Sequence, residues 1–312
     1  MILTVTLSPS VDISYKLDDF KLDATNRCNN TIKTAGGKGL NVARVLKFLG
    51  AEVIATGFLG GDLGNFVKEQ LDKDNIKNDF LFTDKPTRNC IAILSNNQQT
   101  EILEYSEVPN DEYLAKFLKK YELLCDKVNV VCISGSSPKG LDNSYVENLV
   151  KIAKEKNCTV ITDVSGKLLE DIVNNFSTKP DFIKPNQDEF KDLLDKSQKL
   201  KEDFDIKASL KNDINQVDNV IVSLSADGAI VKSSDRLYKV DIPKIKVVNP
   251  VGSGDSSVAG LAYGIDNEMS FEDALKLSNA CGMSNAMNQK TGYIDLEVVK
   301  DLQQQIKVSS LN

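Results

Sequence analysis

The 312-residue chain contains no histidine. That absence excludes Ser-His-Asp and Cys-His hydrolases and every metal site built on imidazole, and it leaves carboxylates and lysines as the available acids and bases. There is no Cys-x-x-Cys pair either. Cys28, Cys90, Cys125, Cys132, Cys158 and Cys281 are scattered, several of them in apolar runs, which points to buried reduced thiols and away from disulfides or zinc. No apolar run approaches the roughly 18 residues of a membrane span. The opening Met-Ile-Leu-Thr-Val-Thr-Leu alternates like a strand and lacks the basic start of a signal peptide, so a cytoplasmic protein without a membrane partner is expected. An excess of positive charge is also missing: the net charge is −7 and no basic stripe interleaves with aromatics, which gives no support to nucleic-acid binding. Any phosphate must be held by local cations.

What is present is an ordinary globular composition, 41% hydrophobic and 27% charged, in a chain long enough for one large domain or two small ones. Short apolar runs, mostly apolar on both faces, recur at 3–7, 53–58, 128–134, 159–163, 181–184 and 220–224. Helical patterns at 40–49, 64–73, 111–124, 144–156, 167–175, 255–264 and 271–288 separate them. Strands buried on both sides and alternating with helices predict a parallel sheet in a layered α/β fold. Residues 11–35 and 88–105 break this rhythm. Cys90-Ile-Ala-Ile-Leu-Ser, then Asn96-Asn97, then Gln99-Thr-Glu-Ile-Leu-Glu-Tyr reads as a hairpin, and the two stretches are expected to pair into a small projecting sheet, a lid or a dimer surface. With no low-complexity linker and no internal repeat, residues 1–312 read as one domain with this appendage.

Two glycine clusters stand out. In Asn249-Pro-Val-Gly-Ser-Gly-Asp-Ser-Ser-Val-Ala-Gly260, the glycines Gly252 and Gly254 let several N–H groups converge at the start of a helix, where the dipole adds to the field, and an anion fits. Asp255 there can cap the helix, or can take a proton from a hydroxyl attacking a phosphorus held by those amides; the turn alone does not choose. In Ala35-Gly-Gly-Lys-Gly-Leu-Asn-Val-Ala-Arg-Val-Leu-Lys-Phe-Leu-Gly50, the dinucleotide fingerprint lacks its third glycine, and no Gly-Lys is followed by Ser or Thr as a Walker loop requires. A bare backbone surface beside Asn41, suited to a polyhydroxylated ligand, stands against a glycine-rich helix entry that only packs closely.

Gly36-Gly-Lys-Gly-Leu-Asn41 and Val251-Gly-Ser-Gly-Asp255 resemble the two signatures of the ribokinase-like sugar kinases of the phosphofructokinase B family. Thr4-Val-Thr-Leu-Ser-Pro-Ser-Val-Asp12, Thr87-Arg-Asn-Cys, Ser134-Gly-Ser-Ser-Pro-Lys-Gly140, Asp163-Val-Ser-Gly, Lys184-Pro-Asn-Gln-Asp-Glu189 and Val222-Ser-Leu-Ser-Ala-Asp-Gly228 follow in the family's order. The resemblance implies a ribokinase-like three-layer α/β/α domain with a mostly parallel central sheet, a small β-sheet lid and a homodimer formed through that lid. It implies an ATP-dependent ketohexose-phosphate kinase that uses Mg²⁺. The expected acceptor is the C1 hydroxyl of D-tagatose 6-phosphate, with fructose 1-phosphate as the alternative substrate.

Residue by residue, the resemblance makes Asp255 the base and the amides of Gly252, Ser253 and Gly254 the hold on the transferring phosphoryl group. Asp12, Gly37, Lys38 and Asn41 become sugar-binding, and Arg88, Lys139 and Arg27 become the cations for the phosphate already on the sugar, Arg88 first because a guanidinium fork matches phosphate oxygens. Lys184 falls near the ATP phosphates, and Asn186 and Glu189 form the family's Asn-x-x-Glu magnesium motif. The same two side chains also read as the cap and first turn of a helix after Pro185. Ser223, Ser225, Asp227 and Gly228 fall on the nucleotide loop, with Asn279 and Gly282 near adenine. Ser8, Ser137 and Ser225 depart from the family's usual asparagine, leucine and glycine.

Overall fold

A computed structural model describes residues 1–96, 98–196, 205–214 and 216–311. In chain order the elements are β1 (Ile2–Thr6), β2 (Ser10–Lys16), β3 (Asn30–Gly36), α1 (Lys38–Phe48), β4 (Val53–Leu59), α2 (Gly61–Lys73), β5 (Lys77–Asn78), β6 (Leu81–Phe82), β7 (Arg88–Ser95) and β8 (Gln98–Leu103). There follow α3 (Asp111–Cys125), β9 (Val130–Ser134), α4 (Asn143–Glu155), β10 (Thr159–Asp163), α5 (Gly166–Asn174), β11 (Phe182–Ile183), α6 (Gln187–Lys196) and α7 (Ile206–Asn212). The last part holds β12 (Asn219–Ser223), a 3₁₀ turn at Ser225–Asp227, β13 (Ala229–Ser233), β14 (Arg236–Asp241), α8 (Ser253–Asp266), α9 (Phe271–Ala286), α10 (Leu296–Gln305) and β15 (Lys307–Ser310).

The main sheet runs β15-β14-β13-β12-β11-β10-β9-β1-β4-β5, with β6 also on β4. From β12 to β5 the pairings are parallel; β12, β13, β14 and β15 are antiparallel. β1 and β9 are buried along their whole length because helices cover both faces, which is why their sequences are apolar without alternation. Alternate side chains feed two cores. Ile2 joins the one built with Leu40, Leu46, Val258 and Leu275 of α1, α8 and α9, and Leu3 joins the one built with Phe117, Leu149, Ile172 and Phe190 of α3 to α6. This is the three-layer α/β/α arrangement expected, with a mostly parallel centre.

The sequence pattern does not predict the antiparallel end, α7 or α10. The expected strand at 181–184 shrinks to Phe182–Ile183, whose backbone then turns through Lys184 and Pro185 into α6. All six cysteines are free thiols; Cys125, Cys132, Cys158 and Cys281 are buried, and Cys28 and Cys90 half-buried.

A second sheet, β3-β2-β7-β8, is separate from the first. It draws on both stretches that broke the rhythm, with β2 parallel to β7. The β7–β8 hairpin turns at Asn96, whose φ is +51°; Asn97, the other expected turn residue, lies outside the described residues. In the ladders Asp12 is opposite Thr34 and Cys90, and Cys90 opposite Leu103, so these residues share one face.

Candidate active site

The site lies at the carboxyl ends of β1, β10 and β11, where α1 and α8 begin, the usual crevice of an open parallel sheet. Gly252 precedes α8 with φ +82°, and a Cβ there would stand 2.6 Å from Thr291 Cγ2, so conformation and space both demand glycine. Asn285 ties this turn down: its Nδ2 donates to the Val251 carbonyl at 2.8 Å and its Oδ1 accepts from the Gly292 amide at 2.8 Å. The Ser253 amide donates to the Pro250 carbonyl at 3.2 Å, so one of the three amides expected at an anion is already engaged within the turn.

Asp255 sits in the first turn of α8, only 5% exposed. It does not cap the helix. Its Oδ2 accepts from Asn41 Nδ2 at 2.8 Å, across 214 residues of sequence. Burial raises its pKa to about 6, the nearby Asp163 carboxylate adds to the rise, and Asn41, Lys38 and Lys184 oppose it.

Asp163, at the end of β10, joins the two lysines. Its Oδ2 lies 3.4 Å from Lys38 Nζ and its Oδ1 3.7 Å from Lys184 Nζ, and both Asp163 and Lys184 are buried. For Lys38, burial works against the charge, yet Asp163, Asp255 and Glu189 outweigh it and raise its pKa. Asp163 opens the Asp163-Val-Ser-Gly segment, to which the sequence assigns no role. The available signal was an acidic residue closing an otherwise apolar strand.

The first glycine cluster lies against β1 and β2. Gly37, with φ +121°, precedes α1. A Cβ on Gly36 would fall 1.9 Å from Asp12 Oδ1, and one on Gly39 would fall 2.3 Å from Thr6 Oγ1. Both glycines therefore exist for close approach, and the one at 36 makes room for a carboxylate named as sugar-binding. Burial raises the Asp12 pKa, against the Ser10 hydroxyl hydrogen-bonded to it at 2.6 Å and the charges of Arg44 and Arg88.

Arg88 Nη1 donates to the Glu104 carbonyl at 2.7 Å and Nη2 to the Ser8 carbonyl at 3.3 Å, while its buried Nε–H has no partner. Ser8 Oγ meets Ser106 Oγ at 2.6 Å, and the Ser106 carbonyl accepts the Lys139 amide at 2.9 Å, so Arg88 and Lys139 are brought to one neighbourhood. The exposed Lys139 places its ammonium 4.3 Å from the centre of the Tyr105 ring, a cation–π contact. Arg27 stands exposed in the 17–29 connection and takes no part in the contacts that tie this cluster together.

On the side expected to take the nucleotide, Asn186 and Glu189 form a reciprocal capping box: each side chain accepts from the other's backbone N–H at 2.9 Å. Among the described residues no group of three or more acidic or cysteine side chains converges on one point. A donor set of one carboxylate and one amide, both solvent-accessible, fits a Mg²⁺ ion that keeps much of its water and takes phosphate oxygens. Ser223 pairs with this segment through its amide to the Pro185 carbonyl at 3.1 Å. Ser225 adopts φ +52°, the left-handed region that a glycine enters without cost, and Asp227 follows it in the same 3₁₀ turn. Gly228 has φ +78°, and a Cβ there would press to 2.0 Å on the Val240 carbonyl. Asn279 turns its amide back to the Leu275 carbonyl at 2.9 Å. Gly282 faces Ser257 and Ser253 of α8, which gives it a packing reason.

A family model described as pfkB family carbohydrate kinase matches residues 5–297. Two proteins named tagatose-6-phosphate kinase, from Staphylococcus epidermidis strains ATCC 35984 and ATCC 12228, are each 48% identical over 314 residues, covering 99% of this chain and 99% of theirs. A solved structure of a candidate phosphofructokinase from Staphylococcus aureus is 31% identical, with a TM-score of 0.82 over 100% of this chain and 99% of that one. Phosphofructokinase-2 from Escherichia coli, 24% identical, superposes with a TM-score of 0.87 over 97% of this chain and 98% of its own, a likeness of fold.

Proposed function

The chain belongs to the pfkB family of carbohydrate kinases, and from that premise we propose that it transfers the γ-phosphoryl group of ATP to the C1 hydroxyl of D-tagatose 6-phosphate, giving D-tagatose 1,6-bisphosphate. The observation that carries the chemistry is Asp255, a buried carboxylate raised to about 6 at the positive end of α8, facing two lysines. The substrate rests on the full-length likeness to proteins named for that sugar phosphate. The reaction places the protein in cytoplasmic lactose or galactose breakdown.

Asp255 takes the proton of the C1 hydroxyl as the oxygen attacks phosphorus, and a carboxylate near pKa 6 is ionised at neutral pH yet basic enough to receive it. The α8 N-terminus, with the Gly252 and Gly254 amides, and Lys184 stabilise negative charge on the moving phosphoryl group. Asp163 holds Lys184 and Lys38 apart at fixed positions, one on each of its oxygens. Asp12, Asn41 and the bare backbone at Gly37 bind the sugar hydroxyls, and Arg88, with an unspent Nε–H, grips the 6-phosphate with Lys139 beside it. Glu189 and Asn186 would hold Mg²⁺, which neutralises phosphate charge. Ser223, Ser225, Asp227 and Gly228 line the nucleotide, with Asn279 behind them.

The test is initial-rate kinetics of the purified protein with ATP against D-tagatose 6-phosphate, fructose 6-phosphate and fructose 1-phosphate. The highest kcat/KM is expected for D-tagatose 6-phosphate; a preference for fructose 1-phosphate would transfer the assignment to a 1-phosphofructokinase.

A further inference from the structure

Asn41 stands between a group that only donates and a group that accepts. Arg44 Nη1 donates to Asn41 Oδ1 at 2.8 Å, and Asn41 Nδ2 donates to Asp255 Oδ2 at 2.8 Å. A guanidinium has five N–H donors and no acceptor, so the amide must turn its oxygen to Arg44, and its NH₂ then faces Asp255 of necessity. Without Arg44 the two orientations of the amide would be of nearly equal shape, and nothing at that end would choose.

Arg44 is also anchored by groups other than Asn41. Its Nη2 donates to the Ala35 carbonyl and its Nε lies 3.6 Å from Asp74 Oδ2 at the end of α2, with the arginine side chain 15% exposed and Asp74 half-exposed. Burial lowers its pKa, and Asp74 and Asp12 resist that. Its ion pair with half-exposed Asp74 is long at 3.6 Å, so the guanidinium taken out of water spends its close hydrogen bonds on the Ala35 carbonyl and on Asn41.

We propose that Arg44 is a positioning residue: by orienting the Asn41 amide it commits Asp255 Oδ2 as an acceptor and leaves Oδ1 as the oxygen that receives the proton of the sugar hydroxyl. The inference rests on Asp255 being the general base. An NH₂ aimed at a carboxylate favours its charged form, whereas a flipped amide offers an oxygen that bonds only the protonated acid. The other charged groups facing Asp255 are Lys38 from α1, Lys184 after β11 and Asp163 from β10; Asp12 on β2 faces Arg44. None of these fixes the amide.

The experiment is the pH profile of kcat/KM for the wild type, Arg44→Lys, Arg44→Met, and Arg44→Met in an Asn41→Ala background. Arg44→Met is expected to move the acid limb upward by about one pH unit without changing KM for ATP. Arg44→Lys, still charged and donor-only, should hold the limb near the wild-type position. In the Asn41→Ala background the arginine change should not move the limb further. Arg44→Gln, which can present either an oxygen or an NH₂, carries the same upward expectation should the methionine variant not fold. Asp74→Asn is the folding control and should lower the melting temperature with the limb in place.

A lowered melting temperature with an unmoved limb in Arg44→Met or Arg44→Gln would reduce Arg44 to a structural part. An equal shift in the Asn41→Ala background would mean that the charge acts directly, and the proposal would fall. Near-normal turnover by Asp255→Asn would remove the base itself. An inactive Asp255→Asn beside an unmoved Arg44→Met limb would overturn this inference alone.

Discussion

Asp255 is held between opposing influences. Burial and Asp163 push its proton affinity up, while the Asn41 amide and the Lys38 and Lys184 ammonium groups hold it near 6, two units above an ordinary aspartate at 3.8. A base must be deprotonated to act, so activity is lost as pH falls through this value. The kcat/KM profile should show an acid limb with its midpoint close to 6. Asp255→Asn keeps the shape and the Asn41 contact but cannot take a proton, and its kcat should drop by about a hundred- to ten-thousand-fold, with sugar-phosphate binding by calorimetry retained. Turnover within tenfold of the wild type would sink the mechanism. Ser225 shows the opposite kind of residue-scale fact: it accepts a left-handed φ of +52° where the family's glycine would meet no strain.

At the scale of elements, the pair α8 and α9 aims the turn proposed to be catalytic. Three glycines let the helices approach closely. A Cβ on Gly260 would fall 2.8 Å from the Leu277 carbonyl oxygen and from Ser278 Cα, one on Gly264 2.7 Å from Ala274 Cβ, and one on Gly282 2.3 Å from Ser257 Oγ. Backbone atoms cannot step aside as a flexible side chain can. Gly260→Ala is therefore expected to cost about 1–3 kcal/mol in chemical denaturation and to lower kcat through displacement of the Gly252–Asp255 turn. Unchanged stability would show that the helices separate freely. Gly282, which the resemblance sets near adenine, also packs closely against the carbonyl of Ser253, two residues before Asp255.

For the whole molecule, the second sheet is the feature that a single chain leaves unfinished. The face that carries Asp12 continues outward through Ile32 and Leu103, exposed by 65% and 56%. Large apolar side chains exposed at both edges of one open sheet face mark a contact surface, and we propose that a second copy of the chain covers it. The wild type should sediment as a dimer. Ile32→Glu should yield monomers, with a raised KM for the sugar phosphate because that face borders the site. A wild type that stays monomeric at micromolar concentration would remove the proposal.

The layered α/β class, the separate sheet, and the turn holding Gly252, Gly254 and Asp255 are legible in the sequence, because hydrophobic period, strand rhythm and glycine spacing are local signals. The sequence also carried the family resemblance through motifs in order. It did not reveal β13 to β15, α7 or α10, whose short and mixed patterns gain their meaning from the edge and surface they cover. The turn alone left cap and base open for Asp255 and only the resemblance made it the base; neither gave Asp163 or Arg44 a role, nor could the sequence show what surrounds the Asp255 carboxylate. Those surroundings belong to the tertiary structure, since Asn41 lies 214 residues from Asp255 and Lys38 lies 125 from Asp163. A pKa near 6 is the sum of burial, the Asn41 hydrogen bond and the charges of Lys38 on α1, Asp163 on β10 and Lys184 after β11, and only folding brings them within reach of one carboxylate.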